Sequence, residues 1–153
     1  MKNVLLVAHA PSPNTQHMAE AVMAGLQHPD LEDIQAKWLK PLEAESDDVI
    51  NCDGIILGTT ENLGYMSGAL KDFFDRTYYP CLEVCQGKPL AFYIRAGQDG
   101  TGTLRAINSI TTGLKWRQAI EPLTCRGSWQ DSFLEQCEEL GTTFGAGIEA
   151  GVF

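Results

Sequence analysis

The feature that most constrains this chain is a rhythm of short, unbroken apolar runs separated by stretches with helical spacing. Val4–Ala8, Gly54–Gly58 and Pro89–Ile94 carry no polar alternation. A strand that is apolar at every position needs cover on both faces, which a parallel sheet between two helix layers supplies. Between these runs, apolar residues recur every three or four positions. Met18, Val22 and Leu26 form one stripe; Met66, Leu70, Phe73 and Phe74 form another. Leu104, Ile107, Ile110 and Leu114 follow, then Phe133, Cys137, Leu140 and Phe144. Each pattern predicts a helix with one buried face. Ile34–Leu39 reads as a weaker, alternating strand and Ser46–Ile50 as a short helix. Arg117–Cys125 reads as a last strand interrupted by Pro122. The first helix is expected over Thr15–Leu26. Ser128 with Asp131 resembles a capping box for the final helix, and the glycine-containing tail Gly145–Phe153 is expected to fray.

Five strands alternating with helices predict a doubly wound α/β fold. At 153 residues the length suits one domain over residues 1–153. No linker, repeat or low-complexity segment interrupts it. The net charge of −9 opposes binding to nucleic acid, whose phosphates it repels. The apolar run after Lys2 is too short for a secretion signal, and no stretch approaches the roughly 20 apolar residues that span a bilayer. A cytoplasmic protein without membrane insertion is expected. The five cysteines are odd in number and contain no C-x-x-C pair, which favours buried or free thiols over a metal site or a disulfide framework.

In open α/β sheets ligands sit beyond the carboxyl ends of the strands, where strand order reverses. Three loops occupy those places: "HAPSPNT" (9–15), "TTENLGYM" (59–66) and "RAGQDGTG" (95–102). The first contains no lysine or arginine. A phosphate does not require one where N–H and O–H donors converge at a helix N-terminus. Ser12, Asn14 and Thr15 offer such donors, with two prolines stiffening the loop. The alternative is an ordinary N-cap at Asn14 or Thr15 with nothing bound. The other two loops are long, polar and glycine-containing, and either could be plain surface. Together the three suit a flat heterocycle with a phosphate tail. Other phosphate motifs fail. No glycine fingerprint follows the first strand, Gly87-Lys88 lacks a P-loop's upstream glycine, and no cysteine precedes an arginine by six positions.

Three stretches, "VLLVAHAPSPNTQHMAEAV", "GIILGTTENLGYMSGALKDFFDRT" and "GKPLAFYIRAGQDGTGTLRAI", together resemble the flavodoxin-like superfamily, especially its small flavin-binding oxidoreductases. That resemblance implies a five-stranded parallel sheet in the order 2-1-3-4-5 and FMN bound without a covalent link. It implies that Ser12, Asn14 and Thr15 hold the phosphate. Thr59, Thr60, Glu61, Asn62, Leu63, Gly64, Tyr65 and Met66 would line one side of the ring system. Ala96, Gly97, Gln98, Asp99, Gly100 and Gly102 would line the pyrimidine side. Ala10 stands where the family often has Ser or Thr, and Thr60 where proline is frequent. Arg95 closes its strand, either facing the ring or pointing into solvent. The function implied is an NAD(P)H-dependent oxidoreductase passing electrons to a quinone or flavin. Two alternatives stand beside it: an electron carrier docking a redox partner protein, and a binding module without cofactor. A homodimer is compatible with all three.

Overall fold

In the computed structural model, which describes residues 1–153, the rhythm becomes a layered sheet. The strands are β1 (Lys2–Ala8), β2 (Ile34–Leu39), β3 (Gly54–Asn62), β4 (Tyr65–Met66), β5 (Pro89–Ala96), β6 (Arg117–Gln118) and β7 (Leu123–Arg126). The helices are α1 (Pro13–Leu26), α2 (Ser46–Ile50), α3 (Gly68–Cys81), α4 (Thr101–Gly113) and α5 (Ser132–Ala150). The parallel order is β2-β1-β3-β5, with β6 and β7 both paired to β5 in the fifth position. This is the order that the resemblance to the flavodoxin-like superfamily implies. The fifth strand is broken in two because Pro122, with no N–H, cannot continue the ladder.

Side chains alternate faces along each strand. Leu5, Val7, Ile55, Leu57, Leu90, Phe92 and Ile94 meet Leu70, Phe73 and Phe74 of α3 and Ile107 of α4. Val4, Leu6, Ile56, Ala91 and Tyr93 meet Met18 and Val22 of α1 and Cys137, Leu140 and Phe144 of α5. The second layer is close-packed at one crossing. A side chain at Gly25 would strike the Glu138 carbonyl, and one at Gly141 the Val22 carbonyl, so α1 and α5 touch backbone to backbone.

Several boundaries differ from expectation. Helix α1 begins at Pro13, one turn's fraction earlier, because proline's fixed φ suits the first helical position. Asp131, not Ser128, stands at the N-cap of α5, with no side-chain capping bond. The tail does not fray: α5 runs to Ala150, and Phe153 folds back on Phe144 with ring centroids 5.8 Å apart. Met66 belongs to β4, not to α3. All five cysteines are free and buried. No helix is long and apolar enough to cross a membrane.

Candidate functional site

Strands β1, β3 and β5 end at one edge, and their loops are fastened to one another. The first loop leaves β1 with the His9 N–H donating to the Gly58 carbonyl at 2.9 Å. Ser12 caps α1. Its Oγ accepts from the Thr15 N–H at 3.2 Å, and the Ser12 N–H donates to Thr15 Oγ1 at 3.0 Å. The cap is therefore Ser12, not Asn14 or Thr15. The two hydroxyls lie 2.8 Å apart and satisfy each other. Pro11 and Pro13 have no N–H to offer. The amides of Ala10 and Asn14 and the exposed Asn14 carboxamide make no hydrogen bond within the chain, and beside them lies the Ser12 hydroxyl. Rotating that hydroxyl toward a ligand costs one neutral hydrogen bond, about 1 kcal/mol net. No acidic residue lies in the first turn of α1 to oppose an anion.

The second loop is a hairpin rather than an open loop. Strand β3 runs past the sheet to Asn62, turns at Leu63 and Gly64, and returns as β4 with Glu61 opposite Met66 and Asn62 opposite Tyr65. Leu63 and Gly64 have φ of 52° and 75°, the two positive values of a type I′ turn. Leu63 is fully exposed and Tyr65 is 40% exposed. Thr59 turns inward, where its hydroxyl accepts from the Ser67 N–H at 3.0 Å and donates to the Thr60 carbonyl at 2.9 Å. Thr60 donates to Asn62 Oδ1 at 2.8 Å.

The third loop is tied to this hairpin. The Gln98 N–H donates to Glu61 Oε1 at 3.3 Å, and Thr103 Oγ1 donates to the Tyr65 carbonyl at 2.9 Å. A side chain at Gly102 would collide with the Gly64 carbonyl, which explains glycine there. Asp99 accepts from the Thr101 N–H at 3.0 Å. That bond holds its carboxyl below the usual range, so it stays anionic. The amides of Gly97 and Gly100 have no partner within the chain, and Gly100 is buried.

The edge thus brings together Ser12, Asn14, Glu61, Asn62, Leu63, Gly64, Tyr65, Gly97, Gln98 and Asp99 as accessible groups. Thr15, Thr59, Met66 and Ala96 are buried, so they shape the edge from beneath. Arg95 does not point freely into solvent. Its Nη1 donates to the Ala96 and Cys125 carbonyls at 2.8 and 3.1 Å, and Nη2 to the Gly127 carbonyl at 2.7 Å. The guanidinium lies over Phe133 and Trp129, 5.0 and 5.8 Å from their centroids. It clamps the end of β5 to the turn after β7. No local sequence signal pointed there, because every partner beyond Ala96 lies some thirty residues away.

Uncharged donors at the end of β1, and free amides at the end of β5, match the two ends of a phosphorylated heterocycle. Residues 3–125 match the family described as NADPH-dependent FMN reductase. The chain belongs to that family. FMN is the cofactor this membership indicates, and neutral donors together with partnerless amides are chemically compatible with a phosphate and a pyrimidine edge. A curated flavodoxin of Aquifex aeolicus (strain VF5) is 31% identical over 114 residues, covering 74% of this chain. The chain spans about 60% of that relative's length. Among solved structures, a flavodoxin from the domain Archaea superposes with a TM-score of 0.81 at 20% identity, covering 96% of this chain and 99% of that one. An NADH:FMN oxidoreductase gives 0.74 at 16% identity, covering 95% and 89%. At such identities these two superpositions speak for the fold.

Proposed function

We propose that residues 1–153 form one FMN-binding domain working as an NAD(P)H-dependent oxidoreductase that passes electrons to a quinone or free flavin. FMN, when bound, supplies hydride acceptance and electron transfer. The chain's residues place it. The Ala10 and Asn14 amides, the Asn14 carboxamide and the Ser12 hydroxyl would hold its phosphate, aided by the positive end of α1. Tyr65 and Leu63 offer apolar surface to the ring, and Glu61 and Asn62 offer polar atoms to its edge. The Gly97 and Gly100 amides would donate toward the pyrimidine edge and would favour negative charge there. Asp99, fixed as an anion, opposes that charge. The observation that carries the reading is the pair of partnerless amides, Gly97 and buried Gly100, in the loop that is hydrogen-bonded to the β3–β4 hairpin.

The decisive assay is NAD(P)H consumption by the FMN-loaded chain with menadione or added FMN as acceptor. Steady turnover supports the reductase. The second reading, an electron carrier, is favoured by the curated flavodoxin relative and by the net charge of −9, which suits docking on a basic redox partner. A chain that holds FMN but leaves NAD(P)H unconsumed supports that reading. A colourless chain that ignores added FMN supports the cofactor-free module.

A further inference from the structure

A second concavity lies on the β2 side of the first loop. It is walled by that loop, by the turn leaving β2 and by the start of α3, and encloses about 270 Å³. Small-molecule sites run from roughly 300 to 1,000 Å³, so this one suits a nucleoside-sized group rather than a whole dinucleotide. Its chemistry comes from Trp38, Lys40, His9, Gln16 and Glu43. The half-buried Trp38 donates its indole N–H to the Ala8 carbonyl at 3.3 Å. Its one polar atom is therefore engaged, and it offers an occupant aromatic carbon. The Glu43 carboxylate also lines the cavity and accepts from the Lys40 backbone N–H at 3.0 Å, without an ion pair to the Lys40 ammonium. Lys37 of β2 pairs with Asp48 at 3.1 Å, while the exposed Lys40 ammonium just beyond the strand pairs with no carboxylate. Burial holds the His9 imidazole below its usual range, so near neutral pH it supplies one donor and one acceptor. Gln16 supplies both from its carboxamide.

An aromatic wall, an unpaired cation and two neutral donor–acceptor groups are the parts that recognise a purine nucleotide. The ring stacks, the base edge hydrogen-bonds, and the phosphate meets the ammonium. We propose that this cavity is an adenosine-phosphate subsite, taking the adenosine half of a nicotinamide dinucleotide or a free adenine nucleotide. The dinucleotide source rests on the reductase reading; the subsite itself does not.

The test titrates the FMN-loaded chain calorimetrically with 5′-AMP, then with ribose 5-phosphate, then with 5′-AMP in the presence of NADPH. Saturable 5′-AMP binding is expected, with ribose 5-phosphate at least tenfold weaker because it lacks the ring. Trp38→Leu is expected to weaken 5′-AMP at least tenfold and Lys40→Gln at least fivefold, with FMN content unchanged in both. Lys40 is exposed, so its variant keeps the test decisive if Trp38→Leu fails to fold. Absence of heat with 5′-AMP overturns the proposal. So does ribose 5-phosphate binding as tightly as 5′-AMP, or 5′-AMP affinity unaltered in Lys40→Gln. Competition by NADPH assigns the subsite to the dinucleotide, and 5′-AMP binding indifferent to NADPH assigns it to a free nucleotide; either supports the subsite. NADPH oxidation without 5′-AMP binding removes the subsite and leaves the reductase standing. Binding of 5′-AMP without NADPH oxidation does the reverse.

Discussion

Leu63 occupies a backbone conformation that asparagine or glycine would hold more cheaply. A leucine with φ of 52° bears the clash that makes the left-handed region costly for most residues, about 1–2 kcal/mol. Its side chain is fully exposed, so no packing in the chain compensates. Such local strain collects at ligand-binding edges. Leu63→Asn is expected to raise stability by about 1 kcal/mol in denaturant unfolding, while weakening FMN binding if the exposed side chain serves the ring. A stability gain with FMN affinity unaltered would reduce Leu63 to a bystander. His9 gives a pH signature. Its folded pKa lies below the unfolded value of about 6.5 because burial disfavours the cation. The unfolded chain then binds more protons, so stability is full above that value and falls as pH drops through it toward the folded pKa. Urea midpoints from pH 8 to pH 5 should show this slope in the wild type and a flatter one in His9→Gln. At this scale the sequence was only partly legible. The cap was misplaced at Asn14 or Thr15, although Pro13 suits the first helical position and so points to Ser12 before it. The type I′ turn was hidden because Leu-Gly lacks the Asn-Gly or Asp-Gly that announces it.

Among the elements, two joints hold the edge in shape. Arg95 ties β5 to β7 and the turn after it through two charge-assisted bonds, to the Cys125 and Gly127 carbonyls, each worth about 1.5–3 kcal/mol before non-additivity. Arg95→Met keeps the aliphatic stem and loses the donors. It should cost at least about 2 kcal/mol in unfolding and loosen the Gly97–Gly100 loop, read as faster amide exchange there. Equal exchange in both proteins would leave the clamp without a role at the site. The second joint is the α1–α5 crossing. Gly141→Val forces a side chain against the Val22 carbonyl, and overpacking of this kind costs about 1–3 kcal/mol. Thermal unfolding should show it, with FMN binding impaired through displacement of α1. Elements were the most legible level. The runs Val4–Ala8 and Gly54–Gly58 could only be buried strands, and the stripes of Met18, Val22 and Leu26 or Phe133, Cys137 and Leu140 could only be packed helices. The tail was misjudged because its glycines suggested mobility. Two of them serve packing instead: Leu31 closes on Gly145 and Phe153 on Gly147.

For the whole molecule, the alternation of strands and helices was visible in the sequence, while the sheet order came only from the resemblance to the flavodoxin-like superfamily. Which loops meet was visible only through topology. Glu61 touches the Gln98 amide, and Thr103 holds the Tyr65 carbonyl, across separations no periodicity reports. The resulting edge places neutral donors at one end and free amides at the other on a chain of net charge −9. Its central claim is that such donors suffice to hold a phosphate without a cation. The most direct measurement is the affinity of the purified, cofactor-stripped chain for FMN against riboflavin, followed by quenching of flavin fluorescence. One FMN per chain, bound at least tenfold more tightly than riboflavin and weakened by Asn14→Ala, is the predicted result. Equal affinity for the two flavins, or no saturable binding of either, would contradict it.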